Sequence, residues 1–184
     1  MLLFLDLSKD ATRKTLLNHL LAAMTPEQSE KYNQIISQVS IPDYHHHSIV
    51  EVNETIDSLS APDKIKTSMK AVYGILAQAE ATAHGCRVEE THFHEVGNGS
   101  ALANAFAICA AFETIAAHKV IATPVQTGCG TVMCAHGEMN IPAPATAAII
   151  ETGIVTCSTL IPGEHLTPTS AALIAYYVDE YSGK

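Results

Sequence analysis

The sequence predicts an α/β fold, a layered domain of alternating short strands and helices with an Ala-rich buried helix. Apolar segments of strand length alternate with helical patterns, and one helical stretch is apolar nearly all round. Hydrophobic residues make up 47% of the 184 residues and charged residues only 16%, which excludes a disordered chain or a charged coiled coil. The chain can therefore bury a sizeable core, and we expect residues 1–184 to form one domain.

The N-terminal segment predicts one strand followed by two helices. Leu2–Asp6 has the length and apolar character of a short buried strand. Ser8 is predicted to N-cap a helix that continues to about Met24. A second helix with a weaker apolar pattern is predicted within Thr25–Ser40.

The next segment predicts a connection and two further helices. Residues 25–47 are the candidate flexible, His-containing connection. Ser48 and Glu51 have the spacing of a capping box, which predicts a helix start. A longer helix opens near Pro62 with a continuous apolar stripe, and Gly85 is its predicted C-terminal stop.

The second half of the chain alternates between strand and helix patterns. Strands are predicted over 91–96, 119–124, 131–136 and 155–161, and helices over 101–117, 143–151 and 167–181. The helix at 101–117 is the one that is apolar nearly all round, so we expect it to lie between layers or between subunits. If the helix lies between subunits, the chain forms a homo-oligomer, which we also expect.

The charge balance limits the partners. Ten Lys and Arg against nineteen Asp and Glu give a formal charge of −9, which argues against nucleic acid and an anionic membrane surface. No apolar run approaches the roughly 20 residues that cross a bilayer, and the apolar start is too short for a signal peptide. We therefore expect a cytoplasmic chain whose five cysteines are reduced.

The sharpest local signal is the run His92-Phe93-His94-Glu95. Side chains at i and i+2 of a strand share a face, so both imidazoles can hold one ion such as nickel or zinc. Glu95 points to the opposite face unless the strand bulges or ends there. The alternative is a half-exposed strand whose histidines donate to nearby carbonyl groups.

Cys134 and His136 have the same i, i+2 spacing, five residues after Cys129. A thiolate and an imidazole could complete a metal site begun by His92 and His94, or serve as a nucleophile and base. The competing interpretation is a buried free cysteine that behaves as a small hydrophobe.

Two further segments carry candidate ligands. His45-His46-His47 is compositionally a metal-binding tract before a helix N-terminus, where the dipole favours neutral imidazole. The alternative is a mobile polar loop.

Thr167 and Thr169 begin the last helix, with a proline between them. Free amides at such a helix start can bind phosphate, which makes both threonines candidate cofactor-binding residues. A simple helix cap explains the same pattern.

Several of these segments occur together in a characteristic order. They are Ala83-His84-Gly85, His92-Phe93-His94-Glu95-Val96-Gly97, His136-Gly137, Ile141-Pro142-Ala143-Pro144-Ala145-Thr146, and Gly163-Glu164 followed by Thr167-Pro168-Thr169. In this ordered set the chain resembles the LarC-type nickel insertion proteins, which help to make the nickel-pincer nucleotide cofactor of lactate racemase. The resemblance covers most of residues 49–181.

The resemblance implies a function and its partners. The family inserts nickel into a pyridinium bisthiocarboxylic acid mononucleotide in a CTP-dependent reaction, as a nickel chelatase of the lyase type. The resemblance favours His92, His94 and His136 as metal ligands, with Glu95 as a further candidate. It also favours the tract 45–47 as a metal reservoir. CTP with a divalent cation is expected on a C-terminal domain, which a separate chain would supply.

The sequence also differs from the family pattern. Lys14 stands where the family has Asp, and Ser100 and Asn104 match positions of two further aspartates. The alternative function is therefore a non-catalytic paralog that serves as a metal-binding or scaffold subunit. No catalytic residue is assigned.

Overall fold

The computed structural model describes residues 1–43, 46, 48–93, 99–134 and 137–183. Within these residues the chain forms seven α-helices and seven short strands, which confirms the predicted α/β class. The helices are α1 (Arg13–Ala23), α2 (Pro26–Gln38), α3 (Ile49–Ser58), α4 (Asp63–His84), α5 (Gly99–Ile115), α6 (Pro144–Ile150) and α7 (Pro168–Tyr177). The strands are β1 (Leu2–Leu5), β2 (Lys119–Ala122), β3 (Gly128–Cys129), β4 (Thr131–Cys134), β5 (Gly137–Asn140), β6 (Gly163–Glu164) and β7 (Glu180–Tyr181). None of the described helices is long and apolar enough to cross a membrane.

Capping residues set several helix boundaries, and those at Ser48 and Gly85 are among the predicted ones. Thr25 caps α2 in a reciprocal capping box with Gln28. The Ser48 side chain accepts a hydrogen bond from the backbone N–H of Glu51 and begins α3. Gly85, with φ 65°, adopts the left-handed conformation that ends α4.

The predicted N-cap of α1 is wrong. The helix begins at Arg13, and the hydroxyl of Thr12 accepts the capping hydrogen bond from the Thr15 backbone N–H at 3.5 Å. Ser8 instead donates its hydroxyl to Asp6 Oδ1 at 2.6 Å. A local side-chain acceptor therefore competes with the helix for Ser8 and leaves residues 6–11 as a loop.

A three-stranded parallel sheet has the order β1-β2-β7. Leu3 and Leu5 of β1 and Val120 and Ala122 of β2 are buried on the face that packs against the helices. The predicted closing helix 167–181 is too long, because α7 ends at Tyr177 and the chain then adds β7 to the sheet.

Within the described residues, two other predicted strands are not formed. Val88–Glu90 forms a single 3-10 turn, and the described residues 91–93 that follow have no strand pairing. In the predicted strand 155–161, only Thr156 forms an isolated bridge, with Val125.

The buried side chain of Gln126 explains the missing strand at 155–161. Its amide nitrogen donates to the carbonyl oxygen of Thr159 at 3.0 Å, and its oxygen accepts from the backbone N–H of Ile161 at 3.3 Å. One side chain therefore satisfies backbone groups that a strand ladder would otherwise pair.

Helix α5 occupies the centre of the helical layer, as its composition predicts. It packs against α1, α2, α4 and α7. Its buried residues are Gly99, Ala101, Leu102, Ala105, Phe106, Ile108, Cys109, Ala110, Ala111, Phe112, Thr114 and Ile115. Small side chains allow the surrounding helices to approach closely, and the core of the chain lies around this helix.

Two antiparallel pairs, β3-β6 and β4-β5, extend from the end of the sheet. Gly128 of β3 has φ 83°, and a Cβ atom there would lie 1.8 Å from the carbonyl oxygen of Gly163. This pairing therefore requires glycine at position 128. Gly130 also has a positive φ of 99°, but a Cβ atom added to it would meet no other atom within 4 Å.

We expect Gly128→Ala to lower the free energy of unfolding by about 3 kcal/mol or more, because backbone strain and a backbone clash combine. The matched variant Gly130→Ala should lose only about 1–2 kcal/mol, since it carries the strain alone. Urea unfolding followed by circular dichroism measures both values. Equal losses in the two variants would show that the β3-β6 contact does not restrict position 128.

Candidate functional site

The segment that carries the predicted metal ligands is anchored by an aromatic contact. His92 is exposed, whereas its neighbours Thr91 and Phe93 are buried. The Phe93 ring meets the Tyr73 ring of α4 edge to face, with centroids 6.0 Å apart. His92 is therefore held on the outward side of the segment, while the predicted partners His94 and Glu95 lie outside the described residues.

The second predicted ligand segment lies in the β4-β5 hairpin. Strand β4 ends at Cys134, whose backbone pairs with Gly137 of β5. His136 and the side chain of Cys134 lie outside the described residues.

The histidine tract is described at one position only. The His46 side chain is fully buried, and its Nε2 atom lies 2.8 Å from the hydroxyl oxygen of Thr55 in α3. His45 and His47 lie outside the described residues. His46 therefore contributes a buried contact to the packing of α3, and a metal ion on Nε2 would have to replace that contact.

The predicted cofactor-binding threonines lie at the start of α7. Thr167 forms a reciprocal capping box with Ser170, in which the Thr167 backbone N–H donates to Ser170 Oγ at 3.0 Å. Thr169 is buried, at 3% exposure. The Thr167 hydroxyl already accepts from the Ser170 backbone N–H, so part of this helix end is satisfied internally.

A polar cluster that the sequence did not predict joins the two ends of the chain. Asp10 Oδ1 lies 3.0 Å from Nδ1 of His165, and Asp10 Oδ2 accepts hydrogen bonds from the hydroxyls of Thr12 and Thr15. The backbone N–H of Ala11 donates to the carbonyl oxygen of His165 at 2.9 Å. The loop before α1 and the loop before α7 are therefore joined through both main chain and side chains.

This cluster lies where the parallel strands end. Asp6 follows β1 and Thr123 follows β2, and Thr123 Oγ1 accepts from the backbone N–H of Leu7 at 2.8 Å. The thiol of Cys157 donates to the carbonyl oxygen of Pro124 at 3.3 Å in the same region. Ligands of open α/β sheets bind at this edge, outside the carboxyl ends of the strands.

The hydrogen bonds keep the carboxylates of the cluster ionised. Burial acts to raise the pKa of Asp10, but the hydrogen bonds from Thr15, Thr12 and His165 outweigh it and leave that pKa below its ordinary value. Hydrogen bonds from Ser8 lower the pKa of Asp6. Burial raises the pKa of the Cys157 thiol, which therefore stays protonated at neutral pH.

The contact between Asp10 and His165 spans 155 positions in the sequence. Local periodicity and capping patterns do not predict a contact between residues so far apart in the sequence. The only sequence signal is that Asp10 and His165 each precede a threonine N-cap by two residues. Across the described ranges, no group of three or more His, Cys, Asp or Glu residues is placed to hold a metal ion.

Comparison with known proteins gives consistent results. A family model described as nickel insertion protein matches residues 2–184. A relative in Staphylococcus saprophyticus is named pyridinium-3,5-bisthiocarboxylic acid mononucleotide nickel insertion protein; it is 35% identical over 71% of this chain and 33% of its own length. A relative of the same name in Staphylococcus epidermidis is 35% identical over 74% of this chain and 34% of its own length. A relative of the same name in Akkermansia muciniphila is 35% identical over 72% of this chain and 32% of its own.

This chain spans about a third of the length of the curated relatives it matches. No solved structure matches the chain.

The lowered pKa of Asp10 predicts a pH dependence of stability. An ionised carboxylate whose pKa is lowered by folding stabilises the fold above its ordinary pKa of about 4, and this contribution disappears as the pH falls through the lowered value. We expect Asp10→Asn to cost about 1–2 kcal/mol at neutral pH and progressively less toward about pH 3.

Urea unfolding of both proteins across that pH range measures the difference. Glu151→Gln is the matched control, because it removes an exposed carboxylate that is not a member of the cluster. A cost of Asp10→Asn that stays constant from neutral to acid pH would contradict the assignment.

Proposed function

This chain belongs to the nickel insertion protein family, and we propose from that membership that it acts in the insertion of nickel into pyridinium-3,5-bisthiocarboxylic acid mononucleotide. Nickel is the substrate ion of the reaction, and the nucleotide is the second substrate. The product is the nickel-pincer cofactor of lactate racemase. The observation that carries the proposal is the match to the family over residues 2–184.

Nickel binding is assigned to the segment that begins at His92. The exposure of His92 and the anchoring of Phe93 against Tyr73 support this assignment, because a ligand needs an accessible ring on a fixed backbone. His94 is the second ligand, and His136 of the β4-β5 hairpin is the third. Glu95 supplies a carboxylate to the same ion. Imidazole suits nickel but also zinc and copper, so the ligand set does not select the metal alone.

The tract 45–47 is assigned as a nickel reservoir. His46 is buried against Thr55 of α3, which holds one member of the tract at the helix and supports the assignment. Because the Nε2 atom of His46 already has this contact, His45 and His47 are the members assigned to bind the ion.

The nucleotide side of the reaction is assigned to a second polypeptide. The curated relatives are about three times as long as the segment they share with this chain. A separate chain that corresponds to their remaining sequence would bind CTP with its divalent cation. The start of α7, which Thr167 caps and where Thr169 is buried, would contact the phosphate of the nucleotide through its backbone.

A second function is favoured by the residues at the start of α5. Asn104 donates its side-chain amide to the carbonyl oxygen of Ser100 at 2.8 Å, within the same helix. Neither residue offers a carboxylate to a hard cation, and Lys14 contributes a positive charge near the start of α1. A non-catalytic subunit that binds metal or serves as a scaffold would tolerate these residues.

The metal assignment predicts a loss of nickel affinity on removal of two imidazoles. We expect the double variant His92→Ala, His94→Ala to bind nickel roughly tenfold more weakly or worse, as measured by isothermal titration calorimetry. The double variant His19→Ala, His84→Ala removes two histidines outside the proposed site and should keep the wild-type affinity. Equal affinity in all three proteins would remove the site.

The reaction assignment is tested by reconstitution with the mononucleotide, nickel, CTP and magnesium. We expect no nickel-loaded nucleotide from the chain alone, and its formation when the part of the Staphylococcus saprophyticus relative beyond the shared third is added. Nickel in the nucleotide fraction is measured by mass spectrometry. No product in either mixture, with nickel still bound to the chain, would favour the scaffold function.

A further inference from the structure

The chain turns back along helix α4 after the helix ends, and this return places His92. Gly85 ends α4 in the left-handed conformation, and the backbone N–H of Cys86 then donates to the carbonyl oxygen of Ala81 at 3.1 Å. The 3-10 turn at Val88–Glu90 packs against α4. The residues that follow this turn therefore run beside the helix that the chain has just left.

Two contacts hold the returning segment, one on each side of His92. Before it, the backbone N–H of Thr91 donates to the carbonyl oxygen of Val88 at 3.2 Å. After it, the ring of Phe93 meets the ring of Tyr73 edge to face, with centroids 6.0 Å apart. His92 is the exposed residue between the two contacts, so both of its neighbours restrict its backbone.

The aromatic contact depends on a residue that is distant in the sequence. Tyr73 lies about 16 Å along the helix axis from His84 at the end of α4, at 1.5 Å per residue. The side chains of Tyr73 and Phe93 are both buried, at 0% and 1% exposure. Aromatic pairs in this geometry stabilise a contact beyond the area that they bury. The turn before Thr91 thus sets where the segment starts, and Tyr73 sets the direction that it takes from there.

We propose that Tyr73 is a positioning residue for nickel binding, which acts through Phe93 on the orientation of the His92 imidazole. The inference rests on the proposed role of His92 as a nickel ligand and adds to it a buried residue of α4. A loosely held ligand loses conformational freedom when the metal binds, and this loss weakens the affinity. The aromatic contact removes part of that freedom before the ion arrives.

Two substitutions separate the aromatic contact from simple burial. The ring of Tyr73 makes the contact with Phe93, so Tyr73→Phe keeps the contact. Tyr73→Leu keeps a large apolar side chain with high helix propensity but removes the ring. An effect of Tyr73→Leu that Tyr73→Phe does not share is therefore an effect of the aromatic ring.

The test measures the nickel affinity of the full chain by isothermal titration calorimetry. We expect Tyr73→Leu to bind nickel about tenfold more weakly, as when outer partners of metal ligands are lost. Tyr73→Phe should stay within about twofold of the wild type, because the edge-to-face pair remains. Phe112→Leu is the matched control and should keep the wild-type affinity. It removes another buried ring, which stacks on Tyr177 with centroids 3.9 Å apart and joins α5 to α7.

A second measurement needs no metal. The backbone amide of Thr91 donates to Val88, so its hydrogen exchange reports on how firmly the segment is held. We expect this amide to exchange several-fold faster in Tyr73→Leu and at the wild-type rate in Phe112→Leu. Equal exchange rates of Thr91 in these two variants would show that Tyr73 does not hold the segment.

Phe93→Leu is the second variant if Tyr73→Leu does not fold by circular dichroism, and it should weaken nickel binding by a similar factor. Wild-type affinity in Tyr73→Leu, with weaker binding in His92→Ala, His94→Ala, would overturn the positioning role and leave the ligands assigned. Equal losses in Tyr73→Leu and Phe112→Leu would also overturn it. Wild-type affinity in the double histidine variant would instead remove the ligand assignment itself, and this inference with it.

Discussion

The burial of helix α5 is the constraint on which the rest of the structure depends. A helix that is apolar on nearly every side must be surrounded, and α1, α2, α4 and α7 surround it here. Its one charged residue is Glu113, whose carboxylate accepts hydrogen bonds from the hydroxyls of Ser68 at 2.6 Å and Tyr177 at 3.2 Å and lies 2.8 Å from the Lys64 ammonium nitrogen. One carboxylate thus connects α5 to α4 and α7, and a partly buried acceptor with several donors fixes how these helices are oriented.

The central position of α5 also determines where the chemistry can lie. The helices cover one face of the sheet, so functional groups collect at the ends of the strands and in the loops beside them. At the carboxyl edge, Asp10 and His165 connect the loop before α1 to the loop before α7. Beside α4, Phe93 fixes the segment that presents His92. Both regions are loops whose positions depend on contacts with packed helices.

The sequence predicts elements well where a local physical signal sets their limits. Capping residues at Ser48, Gly85 and Thr167 define helix ends that the structure confirms, because these signals act within one helical turn. Prediction fails where a distant or competing partner decides the outcome. Ser8 is engaged by Asp6, and the side chain of Gln126 takes two backbone groups of the predicted strand 155–161. Neither effect is visible in hydrophobic periodicity.

The candidate site likewise has one part that local sequence signals predict and another that depends on distant partners. The exposure of His92 could be predicted from the local sequence, because buried and exposed side chains alternate along an extended segment. Thr91 and Phe93 on either side of it are buried. The pairing of Asp10 with His165 requires two loops at opposite ends of the chain to meet, which only the completed packing around α5 achieves. A short motif can therefore predict which side chain is exposed, but the meeting of side chains from separate loops is a property of the fold. For this reason the helical core acts on function indirectly, through the loops that it holds in place.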